Sequence, residues 1–220
     1  MTGRWDIQKQ QVVETARRIA AMGLVSGTSG NVSTRLGSSD GLDLFAITAS
    51  GVKYDELGVD DIAIVGYDIE PVEGDAIPSS ESLLHVAIYR RRPDVDAVVH
   101  THALYSSVAA VAGVDIPPIV DEMVVTLGGA VGVSEYAFPG SSELAENVCD
   151  ALGDCSAALI RSHGSVGVGS TLEEALDACA LTEKVAQIFV MASMFGKVTE
   201  LPANVVEAEM AIYRMRQGET

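Results

Sequence analysis

In "VVHTHALY" (Val98 to Tyr105), His100 and His102 lie two residues apart behind an apolar run. In a β-strand, residues i and i+2 share a face, so Val98, His100 and His102 point one way and Val99 and Thr101 the other. Two imidazoles side by side at a strand end can reach one metal ion. A third, His163, closes the apolar segment "AALIRSHG" just before Gly164. Three histidines leave a tetrahedral ion one open position for water or substrate, as a catalytic zinc requires. Glu81 in "PSSES" is the nearby carboxylate, as a labile fourth ligand or a base. His85 follows one helical turn later on the face shared by positions i and i+4, and is expected in the core or behind the site. The three histidines fit equally well a set of polar residues at loop-facing strand ends, and spacing alone leaves both readings open.

Three turns rich in hydroxyls and glycine accompany the histidines. In "PSSES", Ser79 and Ser80 stand at an expected helix N-terminus, where unpaired N–H groups and the helix dipole favour an anion. "TSGNVS" offers a turn in which Gly30 and Asn31 tolerate positive φ. "TASG" places Ser50 and Gly51 just past a strand. Each is an ordinary cap or turn when taken alone; together with the histidines they suggest a phosphate site beside a metal.

The elements that must position these residues alternate along the chain. The spacing predicts a helix over Ile7 to Met22, then a polar loop through "GTSGNVSTR". Strands are expected at Leu42 to Thr48 and Asp61 to Asp68, and a helix from the Pro78 serine entry to Pro93. A buried strand, "DAVVHTH", leads into a helix over 103–112. "IPPIVDEM" should be extended, because each proline disfavours helix in the residue before it. "SSELAENVCDAL" reads as a serine-capped helix, "AALIRSHG" as a strand, and "TLEEALDACALTEKVAQIFVMASMF" as a long helix capped by Ser170 or Thr171. No repeat or linker divides residues 1–220, so a single α/β or α+β domain is expected.

Composition narrows the partners. Apolar residues make up 48% and charged residues 20% of 220, which is enough to bury a core. Fourteen basic against 31 acidic residues leave −17, a poor footprint for nucleic acid or anionic membrane. An anionic substrate must therefore be held by a local pocket of amides, hydroxyls or metal. Cys149, Cys155 and Cys179 are odd in number and lack Cys-x-x-Cys spacing, which argues against disulfides or a zinc ribbon and suits a reducing cytosol. The first residues carry no apolar signal segment, and no run reaches the length of a membrane span, so a cytoplasmic protein is expected.

In this order, "GTSGNVS", "ITASG", "IPSSE", "DAVVHTHA" and "RSHG" resemble the class II aldolase/adducin superfamily, closest to its L-fuculose-1-phosphate aldolase branch. The likeness runs from Ile7 to Ile188. It implies a three-layer α/β/α fold with a central, mainly antiparallel sheet, and a homotetramer with active sites at subunit borders. It implies Zn2+ held by His100, His102 and His163, with Glu81 as the general acid/base that also touches the metal. Gly30, Asn31, Ser50, Gly51, Ser79 and Ser80 match the positions that hold a sugar phosphate. The activity implied is cleavage of a ketose 1-phosphate to dihydroxyacetone phosphate and an aldehyde. The residues suit that chemistry, since an enediolate needs a Lewis acid on the carbonyl and a base at the adjacent carbon. A dehydratase, decarboxylase or 4-epimerase with the same site remains an alternative, as does a metal-free adducin-like interaction module, which the retained histidines and Glu81 oppose. Epimerases of the superfamily carry aspartate where Glu81 stands. The sequence departs from the branch at Glu122, where a neighbouring subunit donates a catalytic tyrosine. Tyr213 is the substitute expected here, with Tyr136 a second possibility. Ser162 stands where asparagine or histidine is commoner.

Overall fold

Side-chain alternation along one strand sets the architecture. In β2 (Leu42–Thr48), Leu44 and Ala46 face one core while Phe45 and Ile47 face another, and all four are buried. A sheet apolar on both faces must be covered on both. The computed structural model, which describes residues 3–39 and 41–218, shows that arrangement.

Seven strands form one sheet: β1 (Asn31–Ser39), β2, β3 (Ile62–Gly66), β4 (Pro71–Glu73), β5 (Ala97–Thr101), β6 (Ala157–Ile160) and β7 (Gly164–Gly169). Their order is β4-β3-β2-β1-β5-β7-β6, and every neighbouring pair is antiparallel. On one face lie α1 (Asp6–Ala21) and α6 (Leu172–Ser193), packed on Val32, Leu44, Ile64 and Val99. On the other lie α2 (Ser82–Arg91) and α5 (Ser142–Leu152), packed on Phe45, Ile47, Val98 and Val166. The helices α3 (Leu104–Ala112), α4 (Asp121–Leu127) and α7 (Ala203–Arg216) close a third cluster over β6 with α6. The fold is the three-layer α/β/α arrangement with an antiparallel sheet. Each fully buried Ile, Val or Phe contributes roughly 1.5–3 kcal/mol, so a one-residue slip of a strand, which swaps its faces, is strongly disfavoured.

Five elements differ from the sequence expectation, the first being the short edge strand β4, which was not foreseen. The polar loop through "NVSTR" is strand β1, pinned between β2 and β5 despite its hydroxyl-rich sequence. The chain after His163 returns as β7, which the glycines of "GSVGVG" conceal. Asp121 to Met123, expected to be extended with the rest of "IPPIVDEM", instead opens helix α4; Pro118 restricts only its predecessor, and the helix begins three residues later. The C-terminal segment forms α7, an element not foreseen. Ser141 and Thr171 cap α5 and α6 by accepting from the amides of Leu144 and Glu174. Cys149 and Cys179 are buried and all three cysteines are free.

Candidate metal centre and phosphate cleft

Strand β5 runs through the middle of the sheet, with β1 on one side and β7 on the other. Its register sets Asn31 of β1 directly beside His100. His102 follows the strand end, and its amide donates to the Leu24 carbonyl at 3.0 Å. The turn between β6 and β7 folds His163 back over β5, and the chain before α2 delivers Glu81. Two glycines permit this convergence. A Cβ on Gly164 would stand 2.2 Å from the Thr101 carbonyl oxygen. One on Gly30, whose φ is +79°, would stand 2.6 Å from that of His100. Ser162 adopts φ 56°, a left-handed conformation favoured by asparagine and histidine among non-glycine residues.

The three imidazoles form a triangle with centroids 4.7, 4.8 and 4.7 Å apart and planes inclined by 63° to 85°. His100 Nε2 lies 2.9 Å from His102 Nε2 and 3.2 Å from Glu81 Oε2, and His163 Nε2 lies 3.4 Å from Glu81 Oε1. With metal–nitrogen bonds of about 2.0–2.1 Å, ligands of a tetrahedral ion stand roughly 3.3 Å apart, and these separations match. All four ligand atoms fall within 4.8 Å of one another. Ser165 fixes the first ring: its carbonyl can only accept, so His100 donates from Nδ1 at 2.9 Å and turns Nε2 inward. Glu81 Oε1 and His163 Nδ1 are buried without a hydrogen-bond partner. The donor set and the unpartnered carboxylate oxygen fit a divalent ion such as zinc.

Glu81 is 8% exposed. Burial alone raises its pKa. The imidazoles of His100 and His163 beside it and the donation from Asn31 outweigh burial and hold the carboxyl well below the usual range. His102 is pushed down to about 4, first by burial and then by the neighbouring imidazoles of His100 and His163. Burial also lowers His163. Neutral imidazoles are the form that binds metal.

The six residues expected to hold phosphate converge. Gly30, Asn31, Ser50, Gly51, Ser79 and Ser80 line one cavity of about 260 Å3 together with Glu81, His102 and His163. A bridge between Ala49 and Pro78 joins two of the three turns. Thr28, Ser29, Ala49 and Pro139 also line it and were not singled out in the sequence; the first two belong to the same loop as Gly30. Two details differ from expectation. The helix starts at Ser82, so Ser79 and Ser80 precede it, and the amides of Ser50 and Ser79 already donate to Ile77 and Thr48. The Asn31 side chain donates to Glu81 Oε2 at 2.9 Å and bonds His85 Nε2 at 2.5 Å.

Tyr213 does not join this group within one chain. It is 4% exposed and packs against Gly128, and its hydroxyl bonds Ser156 Oγ and donates to the Asp154 carbonyl, both at 2.9 Å. The hollows it borders share no residue with the histidine cavity. Glu122 is exposed on α4 and pairs with Lys184 at 2.5 Å. Tyr136 is 59% exposed, three residues before Pro139 at the cavity wall.

An antiparallel α/β/α sandwich that closes three histidines and a glutamate beside a hydroxyl-lined cleft defines a class, and the comparisons identify it. The family model described as the Class II Aldolase and Adducin N-terminal domain matches residues 10–190. The chain belongs to this family, among its lyases of the aldolase type. It is 34% identical over 203 residues to the 5-methylthioribulose-1-phosphate/5-deoxyribulose-1-phosphate aldolase of Escherichia coli O45:K1, covering 92% of this chain and 91% of that protein. It is 34% identical over 180 residues to the L-fuculose phosphate aldolase of Escherichia coli K12, covering 82% and 81%. Among solved structures, one of L-fuculose 1-phosphate aldolase superposes with a TM-score of 0.88 at 31% identity, covering 94% of this chain and 96% of that one. No helix among the described residues is long and apolar enough to cross a membrane.

Proposed function

We propose that the enzyme cleaves a ketose 1-phosphate between C3 and C4, releasing dihydroxyacetone phosphate and an aldehyde, with zinc as its metal. The observation that carries this reading is Glu81: a buried carboxylate with one oxygen fixed by Asn31 and the other free of hydrogen bonds and 3.4 Å from His163 Nε2, beside the hydroxyl-lined cleft. The cleft holds the substrate phosphate through Ser50, Ser79, Ser80 and the loop at Gly30 and Gly51. That grip sets the distance from Glu81 to C3, because Glu81 follows Ser80 directly in the chain. In cleavage, the C4 hydroxyl gives up its proton and the C3–C4 bond breaks with its electron pair passing to C3. Glu81 then returns a proton to C3; in the reverse direction it removes that proton. Zinc held by His100, His102 and His163 supplies Lewis-acid stabilisation of charge developing on the substrate's carbonyl oxygen.

The proton at the C4 oxygen requires a second group. Neither Glu122 nor Tyr213 reaches the cleft of its own chain, which supports a homotetramer in which a neighbour supplies it. The exposed Glu122 suits that role better than the buried Tyr213. The named relatives act on L-fuculose phosphate, 5-methylthioribulose 1-phosphate and 5-deoxyribulose 1-phosphate. Cleavage of each at C3–C4 gives the same phosphate product and a different aldehyde, so the shared half of the site is the half seen here. A cytoplasmic location is part of this reading, supported by the sugar-phosphate substrate class and by three cysteines without a disulfide. The test is to incubate the zinc-loaded enzyme with each of the three sugars and measure dihydroxyacetone phosphate by its reduction with NADH and glycerol-phosphate dehydrogenase. Release of that product from at least one sugar is expected. Consumption of a sugar without it would point to the dehydratase, decarboxylase or epimerase chemistry instead.

A further inference from the structure

Behind Glu81 and the cleft residue Asn31 lies a chain of buried polar side chains, His85, Ser33 and Tyr89, that neither metal nor phosphate binding uses. The hydroxyl of Tyr89 lies 2.6 Å from Ser33 Oγ, and the same oxygen lies 2.6 Å from His85 Nδ1. His85 Nε2 lies 2.5 Å from Asn31 Oδ1, and Asn31 Nδ2 lies 2.9 Å from Glu81 Oε2. Ser33 and His85 are fully buried, Tyr89 is 1% exposed and Asn31 2%. Such a run through the core is costly unless every member is satisfied.

The direction of each bond follows from the acceptor at its end. A carboxylate only accepts, so Asn31 turns its NH2 to Glu81 and its carbonyl to His85. That carbonyl also only accepts, so the proton of His85 sits on Nε2. A neutral His85 then has a bare Nδ1, which accepts the hydroxyl proton of Ser33. Ser33, having donated its proton, accepts from Tyr89. All four bonds donate toward Glu81.

We infer that His85, backed by Ser33 and Tyr89, is a positioning residue for the proton transfer at C3: it locks the amide of Asn31 so that Glu81 Oε2 is held and Oε1 is presented to substrate. This rests on Glu81 as the base proposed above. Without the Nε2 donor, the amide of Asn31 is free to turn over and set its oxygen against the carboxylate, and Glu81 loses its fixed orientation. His85 bonds no metal-ligating histidine and none of the serines of the cleft, and the Asn31 side chain it does bond is turned to Glu81, so substrate affinity and metal content stay close to wild type while turnover falls. Glutamine in its place can keep an N–H at the position of Nε2; leucine cannot.

Two measurements test this. The first needs no activity: in the nitrogen-15 spectrum of histidine-labelled, zinc-loaded wild type, His85 should show a proton on Nε2 and none on Nδ1. A proton on Nδ1, or on both nitrogens, would overturn the relay. The second follows exchange of the C3 proton of dihydroxyacetone phosphate with deuterated solvent. His85→Leu should lower the exchange rate constant at least ~10-fold with KM and zinc content within about twofold of wild type, and His85→Gln should restore it to within ~3-fold. A His85→Leu enzyme as fast as wild type, or one that loses zinc or KM in the same proportion as rate, would refute the positioning role. Failure of the wild type to exchange the proton would instead sink the aldolase reading and leave the nitrogen spectrum to judge the relay.

Discussion

Replacing Gly164 by alanine should dismantle the centre from behind. The new methyl would stand 2.2 Å from the Thr101 carbonyl oxygen, where real Cβ contacts essentially never fall below 3.0 Å. That oxygen belongs to β5, paired on both sides. The hairpin must therefore retreat, by about 0.8 Å at the least. Gly164 is bonded directly to His163, so that ligand shifts with the hairpin, while the new methyl comes to 3.4 Å from His100 Cε1. Overpacking of this kind costs about 2 kcal/mol, or roughly 4–8 °C in Tm for a chain of this size. The larger effect should be on chemistry, since a misplacement of about 1 Å in a reacting group costs on the order of 100-fold in rate. Turnover by the coupled dihydroxyacetone phosphate assay, zinc affinity by competition with a chromogenic chelator, and Tm are measured on one preparation. The expected result is ~100-fold lower kcat with weakened zinc binding in a folded protein. Gly164→Ala with wild-type turnover and zinc affinity would show that the hairpin does not hold His163 as described.

His163→Ala should lose both turnover and zinc, because two imidazoles and Glu81 hold the ion poorly; elemental analysis after gel filtration checks it, and full retention of zinc would refute the three-histidine set. Ser162→Asn should raise stability by roughly 0.5–1 kcal/mol in urea unfolding, because Ser162 carries a left-handed φ that asparagine tolerates better. His85 gives the metal-free protein a pH dependence. Burial, followed by the neighbouring His100 imidazole, pushes its pKa down to about 3 from 6.5, so the unfolded chain binds its proton first as pH falls. Its contribution is fully present above about pH 6.5 and is lost on acidification, by about 2 kcal/mol between pH 7 and pH 5. Urea unfolding of wild type and His85→Gln at both pH values measures it, and an equal loss in both proteins would remove His85 as the source.

Much of the site could be read from sequence because its parts are local. The alternation in "VVHTH" places His100, and the residue types of three short turns describe the cleft. Strand β2 was plain because "LDLFAIT" is apolar on both faces. The elements that escaped notice are those whose order comes from neighbours. β1 sets only Val32 and Leu36 among Asn, Ser, Thr, Arg and Gly, too sparse an apolar face to announce it, and pairing to β2 and β5 makes it a strand. β7 alternates glycine with valine and serine, which reads as loop by propensity. The role of Asn31 escaped for a related reason. Its type suits a phosphate loop, but its partner Glu81 is fifty residues away and meets it only because β1 pairs with β5. Tyr213 shows the converse: an aromatic hydroxyl with catalytic potential by type, occupied in the fold by Ser156 and Asp154.

The central claim is that Glu81, beside the three-histidine centre, moves the proton at C3. Solvent deuterium entering C3 of dihydroxyacetone phosphate, without any aldehyde, measures that step alone. Zinc-loaded wild type should exchange the proton. Glu81→Gln, with zinc content and phosphate affinity matched to wild type, should exchange it at least ~100-fold more slowly. Exchange by Glu81→Gln at the wild-type rate would contradict the account.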